Sequence, residues 1–294
     1  TRGPQMKTQE LTIDRHMGYA FDFKVRELKN EPTLQYIRDS WLMAMAEMDS
    51  EQRATWEAIY DKKNEEFLKN PPVGKDLLRW KYQRYVKEYC RTIRSVDEQV
   101  GRLLDYLEEK GVLDNTVIVY TSDQGFLLGE HGLYDKRFMY EESFRTPLII
   151  SCPSLVKKHS VCKELVQNID LAPTFLSLAG VEVPKEMSGR SLLPLFKNGK
   201  AENWRNELYY HFYDYPAVGS VRKHDGIRTK RYKLIHWYGE GSGNDEAIDF
   251  WELYDLKKDV MEVNNVYDNP KYVKVREALT GQLEKLRKDV GVTE

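Results

Sequence analysis

The feature that most constrains this chain is a pair of short apolar runs separated by a long loop. Val117-Ile118-Val119-Tyr120 and Pro147-Leu148-Ile149-Ile150 bracket the stretch from Asn115 to Ser151. Each run is too short for a helix and bounded by polar residues, the pattern of a buried strand, expected here to be parallel. Directly after the first run, Thr121, Ser122, Asp123, Gln124 and Gly125 bring acceptor groups to the strand's carboxyl end, where open α/β sheets bind ligands. Between the runs lie ~20 residues without a periodic element, a length that is usually functional or disordered. Aromatic residues threaded through the loop favour order. This loop is the candidate site.

Of 294 residues, 41% are apolar and 31% charged, which fits a soluble globular protein of one large or two smaller domains. A net charge of −2 without a basic run gives no sign of a nucleic-acid surface. No apolar run approaches the ~20 residues of a membrane span. The start, Thr1-Arg2-Gly3-Pro4, does not read as a signal peptide, which leaves a mature secreted chain, an excised fragment and a cytosolic protein all open. Cys90, Cys152 and Cys162 are not spaced as a zinc site and are too few for a disulfide framework; buried free thiols are expected.

Residues 1–32, with Asp14 and His16, show no period, and helical patterning begins near Thr33 and includes Trp41. Asp49 and Gln52 have capping-box spacing for a helix that stops before Asn70-Pro71-Pro72. From Lys75 to Lys110 apolar residues repeat at three and four positions, and Gly111 suits a left-handed stop. The strand that should precede this helix is not evident upstream. A further helix is expected from Leu171, with Asp170 as its N-cap and Gly180 as its stop. Residues 181–203 read as extended loop. Beyond Trp204 the pattern changes to strands at Leu208–Tyr213, a hairpin around Lys230, a strand at Trp251–Leu256 and a terminal amphipathic helix from Tyr272 to Val290. The expected fold is α/β for residues 1–203, with a smaller antiparallel α+β subdomain at 204–294.

Asp123 and Gln124 are adjacent oxygen donors, a carboxylate and an amide carbonyl, suited to Ca²⁺ or Mg²⁺ rather than zinc. Taken alone, the triplet Asp123-Gln124-Gly125 also fits a strand-end turn in which the Asp caps a backbone amide. Two oxygens are too few for a complete site. His131 sits between glycines in Gly129-Glu130-His131-Gly132, and Lys136 follows in Asp135-Lys136-Arg137. A lone histidine is usually structural, and a Lys-Arg pair is usually a solvated surface feature. Together on one ordered loop, these groups suit a tetrahedral oxyanion and the charge it develops.

The stretch TSDQGFLLGEHGLYDKRFMYEESFRTPLII closely resembles the second signature region of type I sulfatases, in the alkaline-phosphatase superfamily. SVDEQVGRLLDYLEEKGVLDNTVIVYTSD, NIDLAPTFLSLAGVEVP with MSGRSLLPLF, DGIRTKRYKLIHWY and WELYDLKKDVMEVNNV resemble the same family in the same order. The likeness runs from about Tyr82 to Asn269 and is nearest to N-acetylglucosamine-6-sulfatase-like members. It implies an alkaline-phosphatase-like mixed sheet flanked by helices. By the same resemblance, Asp123 and Gln124 match Ca²⁺ ligands, and Lys136 matches the lysine that contacts the sulfate and its bridging oxygen. His131 and His224 resemble positions that shape the substrate pocket. The implied substrate is a sulfated carbohydrate, and the implied setting is periplasmic, secreted or lysosomal.

One departure matters. The family's nucleophile is a formylglycine made from Cys or Ser in a motif upstream of the long helix, and that motif is absent from this chain. Ser151-Cys152-Pro153-Ser154 is superficially similar, but Pro directly follows the Cys and the order is wrong. The histidine expected to protonate the leaving oxygen is not identifiable either. The chain therefore reads as the C-terminal portion of a sulfatase whose N-terminal half is missing, inactive alone, with exposed apolar surface that the missing half or another copy would cover. Two other readings stand beside it: a phosphonate or phosphodiester hydrolase of the same superfamily, and a non-catalytic fragment that binds sulfated glycans.

Overall fold

Asp49 starts the first long helix by the means its spacing predicts. Its carboxylate accepts the backbone N–H groups of Glu51 and Gln52 at 2.9 and 2.8 Å, while Gln52 Oε1 accepts the Asp49 N–H at 3.1 Å. That reciprocal cap opens α1, Ser50–Lys69. After Pro71-Pro72, α2 runs over 36 residues, Gly74–Glu109. Gly111, at φ +68°, lets the chain leave it in the left-handed conformation. The structure, a computed structural model, describes residues 3–7, 10–14, 17, 42–43, 45–216 and 218–292. His16, Thr33 and Trp41 lie outside the described residues.

The chain divides into two compact units, one of residues 1–9, 96–127 and 135–294, the other of residues 10–95 and 128–134. In the smaller unit, α1 and the first part of α2 pack ring on ring, with Phe67 and Trp80 centroids 4.2 Å apart. The Tyr60 hydroxyl donates to Glu88 across the same pair. Backbone bonds from Tyr134 N–H to Leu11 O, 2.9 Å, and from Ile13 N–H to Gly132 O, 3.1 Å, tie the tip of the loop to the N-terminal segment.

In the larger unit, β1 (Ile118–Thr121) leads into the loop; the two-residue strands β2 (Leu127–Leu128) and β3 (Tyr134–Asp135) fall at the two unit boundaries along it. A single helical turn, α3 (Glu141–Phe144), precedes β4 (Leu148–Ser151). β4 pairs with β1 antiparallel, Tyr120 opposite Ile149, which corrects the parallel expectation. A continuous apolar run does not report strand direction, and the expected burial is not met either: neither strand has a buried residue, and Tyr120 is 39% and Ile149 62% exposed. α4 (Leu171–Leu178) and α5 (Leu193–Phe196) pack under β4, where Leu192, Leu195 and Phe196 form a core with Leu148, Ile150 and Trp204. The segment expected to be extended throughout thus contains a helical turn. Cys152 is buried, whereas Cys90 and Cys162 are exposed, against the expectation of three buried thiols.

The remainder is a meander: β5 (Glu207–Phe212), β6 (His224–Thr229), β7 (Tyr232–Gly239) and β8 (Ile248–Asp255), in that spatial order and all antiparallel. Alternation sends Ile227, Leu234 and Leu253 to one face, where Leu279 and Leu283 of α6 (Val273–Asp289) cover them. The other face takes the loop. Phe138 and Tyr140 lie beside Trp237, with ring centroids 6.3 and 6.4 Å from it. Glu252, buried between them, accepts from Gln5 Nε2 at 2.8 Å, Tyr140 Oη at 3.1 Å and Trp237 Nε1 at 2.9 Å.

Lys233, fully buried on β7, joins these pieces. Its ammonium lies 2.8 Å from Glu141 and 2.7 Å from Glu262, and donates to Met139 O at 2.7 Å. Arg228 adds a second cation beside Glu141, at 3.2 Å. Burial alone would raise the Glu141 carboxyl, but Lys233 and Arg228 outweigh it and hold the group down at about 2.

Three outcomes are expected. Lys233→Met leaves buried Glu262 without its cation and Glu141 with Arg228 alone, destabilising the fold by ~3–5 kcal/mol in a urea melt, and adding Glu262→Gln recovers part of the loss. Glu141 is depressed in the folded state, so its contribution is complete above the unfolded carboxylate range. It is lost as pH falls from about 4.5 toward about 2. Glu141→Gln therefore flattens the acid side of a plot of melting temperature against pH. Leu103, Tyr106, Tyr120, Ile149 and Phe175 expose apolar surface, so the chain on its own should self-associate as concentration rises in sedimentation velocity.

Candidate active site

The site is built where β1 stops. Thr121 Oγ1 donates to Pro147 O at 2.9 Å, holding the strand's end to the start of β4. Gly125 N–H then donates to Ser143 O at 2.8 Å, so the turn lies directly on α3. A Cβ at Gly125 would come 2.1 Å from Glu142 O, and only glycine permits that approach. Between these two ties, Asp123 is exposed. Its Oδ1 accepts the Gln124 N–H at 3.0 Å and the Ser122 hydroxyl at 3.3 Å. The local amide cap and the ligand reading are thus compatible, because one oxygen makes the cap and Oδ2 accepts no hydrogen bond from the described residues.

This donor set fits a hard divalent cation in kind but not in number. A carboxylate and an amide carbonyl are oxygen ligands of the Ca²⁺ and Mg²⁺ type, but Ca²⁺ takes about six to eight. Among the described residues, no cluster of three or more His, Cys, Asp or Glu side chains is arranged to hold a metal. Asp123 and Gln124 can therefore form one side of a site.

Lys136 is held in an unusual backbone. The residues on either side of it, Asp135 at φ +74° and Arg137 at φ +90°, both occupy left-handed space that side chains avoid. Their side chains stabilise the arrangement through an Arg137 Nη1 to Asp135 Oδ2 contact of 2.8 Å, and Tyr210 Oη donates to Arg137 O at 3.1 Å. The Lys136 ammonium, about one-third exposed, lies 3.5 Å from Asp135 and 5.8 Å from the ring centroid of Phe126, two residues beyond Gln124. Lys136 thus lies over the ring that follows the Asp123–Gly125 turn.

His224 begins β6 and is fully buried. Its ring stacks on Trp237 at 4.0 Å and lies 5.5 and 5.6 Å from Tyr210 and Phe212. Nδ1 sits 2.8 Å from Arg222 O, an acceptor, so Nδ1 carries the proton. Burial pushes the imidazole down to about 4, which leaves it neutral at physiological pH with Nε2 a bare acceptor, unpaired among the described residues. Tyr210 links it to the loop, since the same side chain bonds Arg137 O and flanks His224. His131, at φ +56°, belongs to the smaller unit, half-buried between Gly129 and Gly132.

Sequence reasoning took Asp170 for an N-cap and overlooked Asn168. Asp170 sits at the N-cap position of α4 but is fully buried, and its side chain caps the preceding 3₁₀ turn instead: it accepts Gln167 N–H and Arg190 N–H at 2.8 Å each and pairs with both terminal Arg205 nitrogens. Asn168, in the 3₁₀ turn before α4, reaches the carbonyls of Ser122 and Asp123. The available signal was the pair of Asx residues in Asn168-Ile169-Asp170, one more than a helix cap needs.

The family described as N-sulphoglucosamine sulphohydrolase, C-terminal, matches residues 129–289, and the family described as sulfatase matches residues 39–181. An N-acetylglucosamine-6-O-sulfatase of Bacteroides thetaiotaomicron is 45% identical over 98% of this chain and 50% of its own length. A multifunctional alkaline phosphatase superfamily protein of Trinickia caryophylli is 35% identical over 63% of this chain and 36% of its own. A solved structure, described as a complex with its substrate D-glucosamine-2-N,6-O-disulfate, superposes with a TM-score of 0.88 at 44% identity. It covers 100% of this chain and 58% of that one. The chain thus spans half the length, or less, of the two curated relatives named. With the alkaline-phosphatase-like fold, the loop signature and two family matches in agreement, the chain belongs to the sulfatase family.

Proposed function

We propose that this chain supplies one side of the active site of a sulfatase that removes sulfate from a sulfated amino sugar. The observation that carries this is the joint placement of Asp123-Gln124 and Lys136 on one braced loop, with the Lys136 ammonium turned over Phe126. The choice of sugar rests on the Bacteroides thetaiotaomicron relative and on the substrate that the matched structure is described as holding. Residues 1–203 bring the loop, and residues 204–294 bring His224 and the sheet on which the loop lies.

In this reading, Asp123 and Gln124 hold Ca²⁺, or Mg²⁺ in its place, and the cation neutralises charge on the sulfate oxygens when bound. Lys136 donates to the sulfate and to the bridging oxygen, where negative charge grows as the S–O bond breaks. Its rigid flanks keep the ammonium in place before the substrate arrives, so little reorganisation opposes the reaction. His224, neutral and fully enclosed, is assigned to the packing behind the pocket wall, and His131 keeps the substrate-pocket role that the family resemblance implies for it. The chain contains no formylglycine motif, so attack on sulfur is assigned to residues outside it. The setting proposed is periplasmic, secreted or lysosomal; no described helix is long and apolar enough to cross a membrane.

The test is to supply the remaining half of the Bacteroides thetaiotaomicron relative to this chain and assay glucosamine-6-sulfate beside a matched phosphate ester. Sulfate release is expected from the pair and none from the chain alone. Lys136→Ala should lower kcat by roughly 10²–10³-fold, as for loss of one oxyanion donor. Preferential phosphate release would favour a phosphonate or phosphodiester hydrolase, and binding of the sulfated sugar without turnover would favour a non-catalytic role.

A further inference from the structure

Asn168 lies 45 positions beyond Asp123 in sequence, in the 3₁₀ turn Asn168–Asp170 that precedes α4. Its Nδ2 donates to Asp123 O at 2.9 Å and to Ser122 O at 3.2 Å. Successive carbonyls in a strand point to opposite sides, so one amino group can grip both only where the chain has stopped being a strand. The bond pair therefore fixes the peptide from which the Asp123 carboxylate and the Gln124 amide project. The other ties are Thr121 on Pro147 O, Gly125 N–H on Ser143 O, and, within the turn, the Ser122 hydroxyl on Gln124 O at 2.8 Å and on Asp123 Oδ1, which also accepts the Gln124 N–H.

Asn168 is itself anchored. Buried Asp170 holds the 3₁₀ turn through the backbone N–H groups of Gln167 and Arg190 and through its pair with Arg205. Thr174 Oγ1 donates to Asp170 O at 2.5 Å and accepts Leu192 N–H at 2.8 Å. A rigid turn thus presents an amide donor to an exposed one.

We infer that Asn168 is a positioning residue for the cation-binding turn, setting the orientation of Asp123 and Gln124 without touching the ion. The inference rests on the assignment of that turn to a divalent cation, and the experiment separates the two. Amide hydrogen exchange at Gln124 and Gly125 is followed by NMR in the unaltered chain, Asn168→Ala and Asp123→Ala, each with and without added Ca²⁺. Thermal melts check that each variant is folded.

Without Ca²⁺, Asn168→Ala should exchange at least about fivefold faster at these two amides, the effect of hydrogen bonding worth roughly 1 kcal/mol. Where Ca²⁺ protects the turn in an Asp123-dependent manner, Asn168→Ala should weaken its affinity by about tenfold or more, as for other groups that orient metal ligands. Unchanged exchange in a folded Asn168→Ala chain overturns the inference whatever the Ca²⁺ data. Faster exchange without any Asp123-dependent Ca²⁺ effect upholds the brace and removes the cation assignment instead.

Discussion

The buried ammonium of Lys233 is the interaction on which the larger unit depends. It meets Glu141, Glu262 and Met139 O, and so binds the loop, the central strand and the turn after β8 at one point. Desolvating three ionised groups is costly, and only close geometry offsets it. With Met139 held from β7, Phe138 and Tyr140 are committed to the sheet face beside Trp237, and the backbone leading out of Lys136 has a fixed end. Glu252 repeats the device with neutral donors, taking hydrogen bonds from three separated parts of the chain.

From that anchor the loop can carry strain. Left-handed backbone at Asp135 and Arg137 would relax in a free peptide, at a gain of order 1–3 kcal/mol for each. It persists because Tyr210, Lys233 and the Asp135–Arg137 pair hold the segment from outside and within. The turn at Asp123 follows another logic: side chains tie down its backbone, and it is braced by α3, by the residue before β4 and by the turn before α4.

Much of this could be read from the residues. The capping box at Asp49, the length of α2, the stop at Gly111 and the hairpin at Lys230 all express local rules, and local rules are what a sequence states directly. The family resemblance supplied the candidate site as a set of positions. Strand direction was not legible, because Val117–Tyr120 and Leu148–Ile150 have the same apolar pattern whichever way they run. Nor was the Lys233 cluster, since Thr229-Lys230-Arg231-Tyr232-Lys233 looks like a solvated basic stretch, and only strand alternation turns its last residue inward. Asp170 was half legible for a related reason: its N-cap position could be read locally, while its charged partner, Arg205, lies 35 residues away.

The strained pair around Lys136 sets a conflict for anyone seeking a more heat-tolerant form of this protein. Glycine at 135 or 137 would remove the steric penalty of the backbone there, an ordinary route to a higher melting point. The same exchange deletes one arm of the carboxylate–guanidinium tie and lets the ammonium between them wander. Robustness and readiness pull in opposite directions at these two positions, and the residues present favour readiness.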